Sequence, residues 1–147
     1  MAAGSAQSRG FGLVVVLENE PTWISRRFLD EAHADQLKQH GGLSGVRDEN
    51  ALESALARPK NRWSYRQVGL FEIAAAHGYA LATSHPYTDT DGNKRTVFIA
   101  MYTFLGLNDL EITASQLEVV SFMLKVAAGS LDEPQIAEWL ERNTCPE

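Results

Sequence analysis

Twelve consecutive residues, His85-Pro-Tyr-Thr-Asp-Thr-Asp-Gly-Asn-Lys-Arg-Thr96, hold the densest set of reactive side chains in the chain. Pro86 ends the preceding helix and leaves His85 at its C-terminal edge. Asp91-Gly92-Asn93 reads as a turn, with Gly92 or Asn93 capping the next helix. Free backbone N–H groups at that helix start, with Lys94 and Arg95 in its first turn, make an anion site suited to phosphate. Cations there oppose the helix dipole, so a sequence shaped for stability alone would place acids instead. Asp89 and Asp91 stand beside the site and can hold Mg²⁺ against phosphate oxygens. The imidazole of His85 can take a proton from an attacking hydroxyl. Together these groups point to transfer of a phosphorus group from a nucleotide.

Two blander readings use the same residues. One is a capped interhelical loop with a histidine bonded to backbone. The other is a calcium loop, since Asp89-x-Asp91-Gly-Asn93 has the right opening. Twelve residues from Asp89 end at Ala100, however, and no bidentate Glu stands there.

The elements that must position the segment read as helices. Ser25 opens the first, with Ile24, Phe28, Ala32 and Leu37 near one stripe and Gly41-Gly42 as its stop. Asp48 caps a second, carrying Leu52, Ala55 and Leu56 and ending before Pro59. Leu70 to about Ser84 is rich in Ala and reads as a central buried helix. Val97 to Leu107 is apolar nearly all round and reads as its buried partner. Thr113-Ala-Ser-Gln116 reads as a capping box for a fifth helix, with Leu117, Val120, Leu124 and Ala127 inward. Pro134 opens a sixth, with Ile136 and Leu140 on its stripe. The expected class is all-α, a helical bundle in which two central buried helices flank the motif loop. His33 and His40 are expected to be exposed, and His77 to be a satisfied core histidine.

Composition sets the outer limits. The 147 residues make one ordinary domain, 44% apolar and 22% charged. Residues 1–22 read as a leader, partly disordered or a short strand, and residues 23–147 as the helical domain. Phe11–Leu17 is too short and wrongly flanked for a signal peptide, and no apolar run approaches the ~20 residues of a membrane span. The expected location is the cytoplasm. The lone Cys145 excludes an intrachain disulfide. Net charge is -6, with eight acids against two bases in residues 109–147. Direct nucleic-acid binding is therefore not expected. The local basic run Arg58, Lys60, Arg62 and Arg66, with Trp63 and Tyr65 interleaved, reads as a solvated loop first and a protein or polyanion surface second.

The segment resembles the signature of the Fic/Doc family, His-Pro-Phe-x-Asp/Glu-Gly-Asn-Gly/Lys-Arg. The likeness runs from about Trp23 onward. Gly41-Gly-Leu-Ser-Gly-Val-Arg-Asp48, Leu52-Glu-Ser-Ala-Leu-Ala-Arg-Pro59, Gly92-Asn-Lys-Arg-Thr96 and Val126-Ala-Ala-Gly-Ser-Leu-Asp132 resemble the death-on-curing (Doc) branch. The resemblance implies an all-helical fold and Mg²⁺-assisted transfer of part of ATP onto a protein hydroxyl. It implies His85 as general base, an acid holding Mg²⁺, and a phosphate cradle of Gly92, Asn93, Lys94 and Arg95. Lys94 matches the Doc branch, whose members resemble toxins that phosphorylate elongation factor Tu; members that transfer AMP mostly carry Gly there. An antitoxin protein in trans is the implied control, since no Ser/Thr-x-x-x-Glu-Gly/Asn blocking motif occurs in the chain. AMP transfer and a catalytically impaired nucleotide- or antitoxin-binding member are the alternatives.

Two departures stand out. Tyr87 replaces the motif's Phe as loop anchor, and its hydroxyl needs a partner. Six residues rather than four separate His85 from Gly92. Counted forward from His85 the metal acid is Asp89; counted back from Gly92 it is Asp91, which is favoured because the phosphate site is tied to the helix start. The extra pair supplies up to about 7 Å of chain. Displacement of His85 is expected over an outward bulge, because the loop is pinned on both sides.

Overall fold

The computed structural model describes residues 20–66, 69–88 and 90–147, with the backbone alone for Arg66 and residues 90–93. The apolar stretch Phe11–Leu17 and most of the expected leader lie outside the described residues. The chain forms α1 (Arg26–His40), α2 (Glu49–Arg66), α3 (Leu70–Ser84), α4 (Thr90–Leu107), α5 (Gln116–Ala127) and α6 (Glu133–Arg142). The all-α class holds. Two three-residue strands, β1 (Leu110–Ile112) and β2 (Thr144–Pro146), add a small antiparallel pair that ties the C-terminus to the end of α4.

The helix α3 is the hub and packs against α2, α4 and α6. Its run Ile73-Ala-Ala-Ala76 is fully buried, and the small side chains let neighbouring axes approach. Gly78 lies so close to Met101 of α4 that a β-carbon there would overlap the thioether. Met101, Phe104, Leu105, Leu29, Leu52, Ile136 and Leu140 close the core around this pair. Each such side chain contributes roughly 1.5–3 kcal/mol by leaving water. The two apolar helices are thus central, as the sequence predicts.

Helix ends follow the expected chemistry in several places. Ser25 accepts from Phe28 N–H and opens α1, and Gly41 closes it at φ 76°. Asp48 accepts from Ala51 N–H at the start of α2. Asp132 and Gln135 form a reciprocal capping box at α6, with Pro134 in its first turn.

Five expectations are corrected. Pro59 does not end α2 but lies inside it. A proline there forfeits one backbone bond at a cost of about 3 kcal/mol. Burial of Leu52, Ala55, Leu56 and Pro59 offsets that cost. The basic run is consequently helical rather than a loop. Arg58 donates twice to Glu133 Oε1 (3.0 and 2.7 Å), and Arg62 pairs with Oε2 at 2.6 Å, locking α2 onto α6. At α5 the box is Ser115 with Glu118, two residues later than expected. Its inward residues are Phe122 and Val126, whereas Leu117, Val120 and Leu124 face outward, 82%, 50% and 67% exposed. Phe122 stacks on Trp139 (3.8 Å between centroids, 5° between planes), and that aromatic contact decides which face turns in. Finally, His33 is buried rather than exposed. His40 is exposed as expected, and His77 is buried in the core against Phe104.

Candidate functional site

The motif begins where α3 stops. Pro86 cannot continue the helix. His85 takes the left-handed conformation (φ 48°, ψ 59°) as the capping residue, its N–H donating to Leu81 C=O. Its imidazole is thereby delivered to an exposed helix end, as the sequence predicts.

The following residues are braced by the 45–48 loop. Thr88 N–H donates to Gly45 C=O (3.0 Å), and Arg47 and Asp48 N–H both donate to Pro86 C=O (2.8 and 3.1 Å). Val46 and Tyr87 form an isolated antiparallel bridge. Gly45 sits at φ 108°, a conformation that favours glycine.

Tyr87 is the second brace. It is 3% exposed, and its hydroxyl donates to Asp30 Oδ1 at 2.8 Å, the partner that the extra oxygen needs. Burial and the Asp30 carboxylate push the phenol far above its usual range, so it stays neutral and donating. Asp30 Oδ2 in turn accepts from Arg26 (2.8 Å), which also reaches Glu49 and Glu53 on α2. His33 stacks on the Tyr87 ring (3.8 Å, 13°) and its Nδ1 lies 3.2 Å from Thr96 Oγ1. One residue of α1 thus touches both the motif loop and the motif helix.

The helix α4 begins at Thr90, earlier than the expected cap at Gly92 or Asn93. Two of the six residues between His85 and Gly92 are therefore wound into helix. The remaining four, Pro86 to Asp89, connect the two helices. Helical residues rise only ~1.5 Å each, so the added pair lengthens the connection far less than extended chain would. Asp91, Gly92 and Asn93 lie in the first helical turn, where backbone N–H groups lack intrahelical acceptors. Lys94 and Arg95 fall in the second turn, not the first. Asp89 and the side chains of Asp91 and Asn93 lie outside the described residues, so the expectation for the metal acid does too.

His85 and Lys94 line one small cavity of about 20 Å³, walled by Ala82, Val97, Met123 and Val126. That admits a water or a hydroxyl, not a nucleotide. Arg95 has its Nε buried with no hydrogen-bond partner among the described residues. A buried guanidinium N–H left unpaired is costly, and an anion at this position would satisfy it. The donors present therefore fit a phosphate. Lys94 and Arg95 also border an apolar groove of about 350 Å³ between α4 and α5, walled by Phe98, Val120 and Leu124.

The structure thus brings His85, Lys94 and Arg95 to one end of the bundle and anchors them through Tyr87. Sequence reasoning missed Arg26, Asp30, His33 and Arg47. The spacing 26, 30, 33 does mark one helical face, which was the available signal for three of them. Arg47 lies in the Doc-like segment Gly41–Asp48, but nothing in that segment's pattern ties it to the motif 38 positions away.

No helix among the described residues is long and apolar enough to cross a membrane. The toxin Doc of Mycolicibacterium smegmatis is 38% identical over 78 residues, covering 50% of this chain and 57% of that protein. The chain thus spans little more than half the length of that curated relative. Residues 23–105, from just before α1 through α3, the whole motif and all but the last two residues of α4, match the Fic/DOC family. The chain belongs to the Fic/DOC family.

Proposed function

We propose that this protein is a Doc-type toxin that transfers a phosphate group from ATP to a hydroxyl of a translation factor resembling elongation factor Tu. The single observation that carries the reading is the convergence of His85 and Lys94 on one cavity, with Arg95, the next residue of α4, burying an Nε that has no hydrogen-bond partner among the described residues. His85 takes the proton from the attacking hydroxyl. Arg95 offers its fork to phosphate oxygens, and Lys94 adds a point charge. Backbone N–H groups of the first turn of α4, around Gly92 and Asn93, complete the cradle. Asp91, with Asp89 as the alternative, holds Mg²⁺, which neutralises phosphate charge when bound. Lys94, where AMP-transferring relatives mostly carry Gly, favours phosphate over AMP as the group moved.

The likeness to a curated toxin supports control by an antitoxin protein in trans. The second apolar face of α5, with Leu117, Val120 and Leu124 exposed beside the 350 Å³ groove, supports a partner helix as the occupant. Expression of the chain alone in a sensitive bacterium tests the proposal. Growth arrest that is lost in His85→Ala, with equal soluble protein, is expected. Normal growth with a soluble, folded parent would contradict it.

A further inference from the structure

The carbonyls at the end of a helix have no intrahelical donors. At α3 those of Ser84 and His85 are taken by one side chain: Arg47 Nε donates to His85 C=O and Nη2 to Ser84 C=O, each at 2.8 Å. The backbone N–H of the same residue donates to Pro86 C=O. Arg47 therefore engages three successive carbonyls around the motif histidine. The Ser84 carbonyl belongs to the peptide plane before His85, and the His85 carbonyl to the plane after it. Holding both planes fixes φ and ψ at His85, and with them the direction of its side chain.

That direction needs holding. His85 and Asp109 are the non-glycine residues with positive φ among the described residues. Glycine is the usual occupant of a left-handed helix end, and a side chain there persists only where its surroundings impose it. The planar guanidinium fork matches two neighbouring acceptors, which a single ammonium cannot. Its charge also faces the negative end of the α3 dipole. Arg47 is exposed, so these bonds contribute little to global stability. Their consequence is local.

We propose that Arg47 is a positioning residue that aims the His85 imidazole at the acceptor hydroxyl. This rests on the reading of His85 as general base. Two measurements on the full chain separate the clamp from that reading. The first is the imidazole Hε1–Cε1 signal of His85 in protein carrying labelled histidine, assigned by its loss in His85→Ala. Arg47→Ala should shift and broaden or split it, and Arg47→Lys should restore it in part. An identical single signal in all three proteins overturns the clamp. The second is steady-state phosphate transfer. Arg47→Ala should lower kcat 10- to 100-fold, since a displacement of about 1 Å can cost ~10²-fold. KM for ATP should stay within twofold, because the phosphate donors sit on α4. Melting temperature should stay near the parent's, and Arg47→Lys should recover part of kcat. Unchanged kcat, or a loss confined to KM, also overturns the proposal. A parent that transfers no phosphate overturns the function instead, and the imidazole signal then decides the clamp alone.

Discussion

At the scale of residues, the site consists of groups whose placement costs free energy without a ligand. Arg95 buries an Nε with no hydrogen-bond partner among the described residues, and His85 occupies a left-handed conformation. Arg95→Ala should leave the fold intact and weaken ATP binding by roughly 1.5–3 kcal/mol, the range for hydrogen bonds to charged groups. Calorimetric titration of both proteins checks this; equal affinities would remove Arg95 from the site. Tyr87→Phe restores the family's residue but deletes the bond to Asp30. Asp30 keeps its pairing with Arg26, so no carboxylate is stranded. The expected loss is about 1 kcal/mol, read as a lower denaturation midpoint with unchanged m value. The motif segment was legible in the sequence because its residue types and order are specific to the family. The residues that hold it were not, because Arg47, Asp30 and His33 reach the motif from 38, 57 and 63 positions away.

At the scale of elements, helices that a cap or a dense apolar run defines were legible: α1 from Ser25 to Gly41, α3 and α6. Periodicity could not choose between the two apolar stripes of α5. Phe122 and Val126 turned inward because Phe122 finds Trp139, and the lighter stripe was left outside. Nor could local rules foresee that α2 would carry Pro59, since Glu133, 75 and 71 positions from Arg58 and Arg62, helps hold its second half. The start of α4 was misread for a similar reason: Asp-Gly-Asn is a turn signal that the helix overrides. The outward stripe of α5 yields a prediction. Leu124→Glu should keep the parent's melting temperature, because Leu124 is already mostly exposed. It should abolish protection by a cognate antitoxin in co-expression. Undiminished protection would place the partner elsewhere.

At the scale of the whole molecule, the core encloses an ionisable group, His77, among its apolar side chains. His77 is 2% exposed and its Nε2 has no hydrogen-bond partner among the described residues. Burial, reinforced by the charge of Lys60, pushes its pKa down to about 3. The unfolded chain binds a proton near pH 6.5 that the folded chain refuses, so stability is retained above 6.5 and falls as pH drops towards 3. The slope from this one group approaches ~1.4 kcal/mol per pH unit within that window. His77→Phe should flatten the dependence of the denaturation midpoint between pH 6.5 and 4; an unchanged slope would assign acid sensitivity to other groups.

That same core fixes α3 against α4, and so fixes His85, the proposed base at the end of one helix, against Lys94 and Arg95, the proposed phosphate donors near the start of the other. These two ends are expected to perform phosphate transfer. Incubation of the protein with Mg²⁺, a purified translation factor and ATP labelled at the α or the γ position tests this most directly. Label should pass to the factor from the γ position, not from the α position, and not at all with His85→Ala. Transfer from the α position would make the protein an AMP transferase, and absence of transfer from either position by the folded parent would contradict the account.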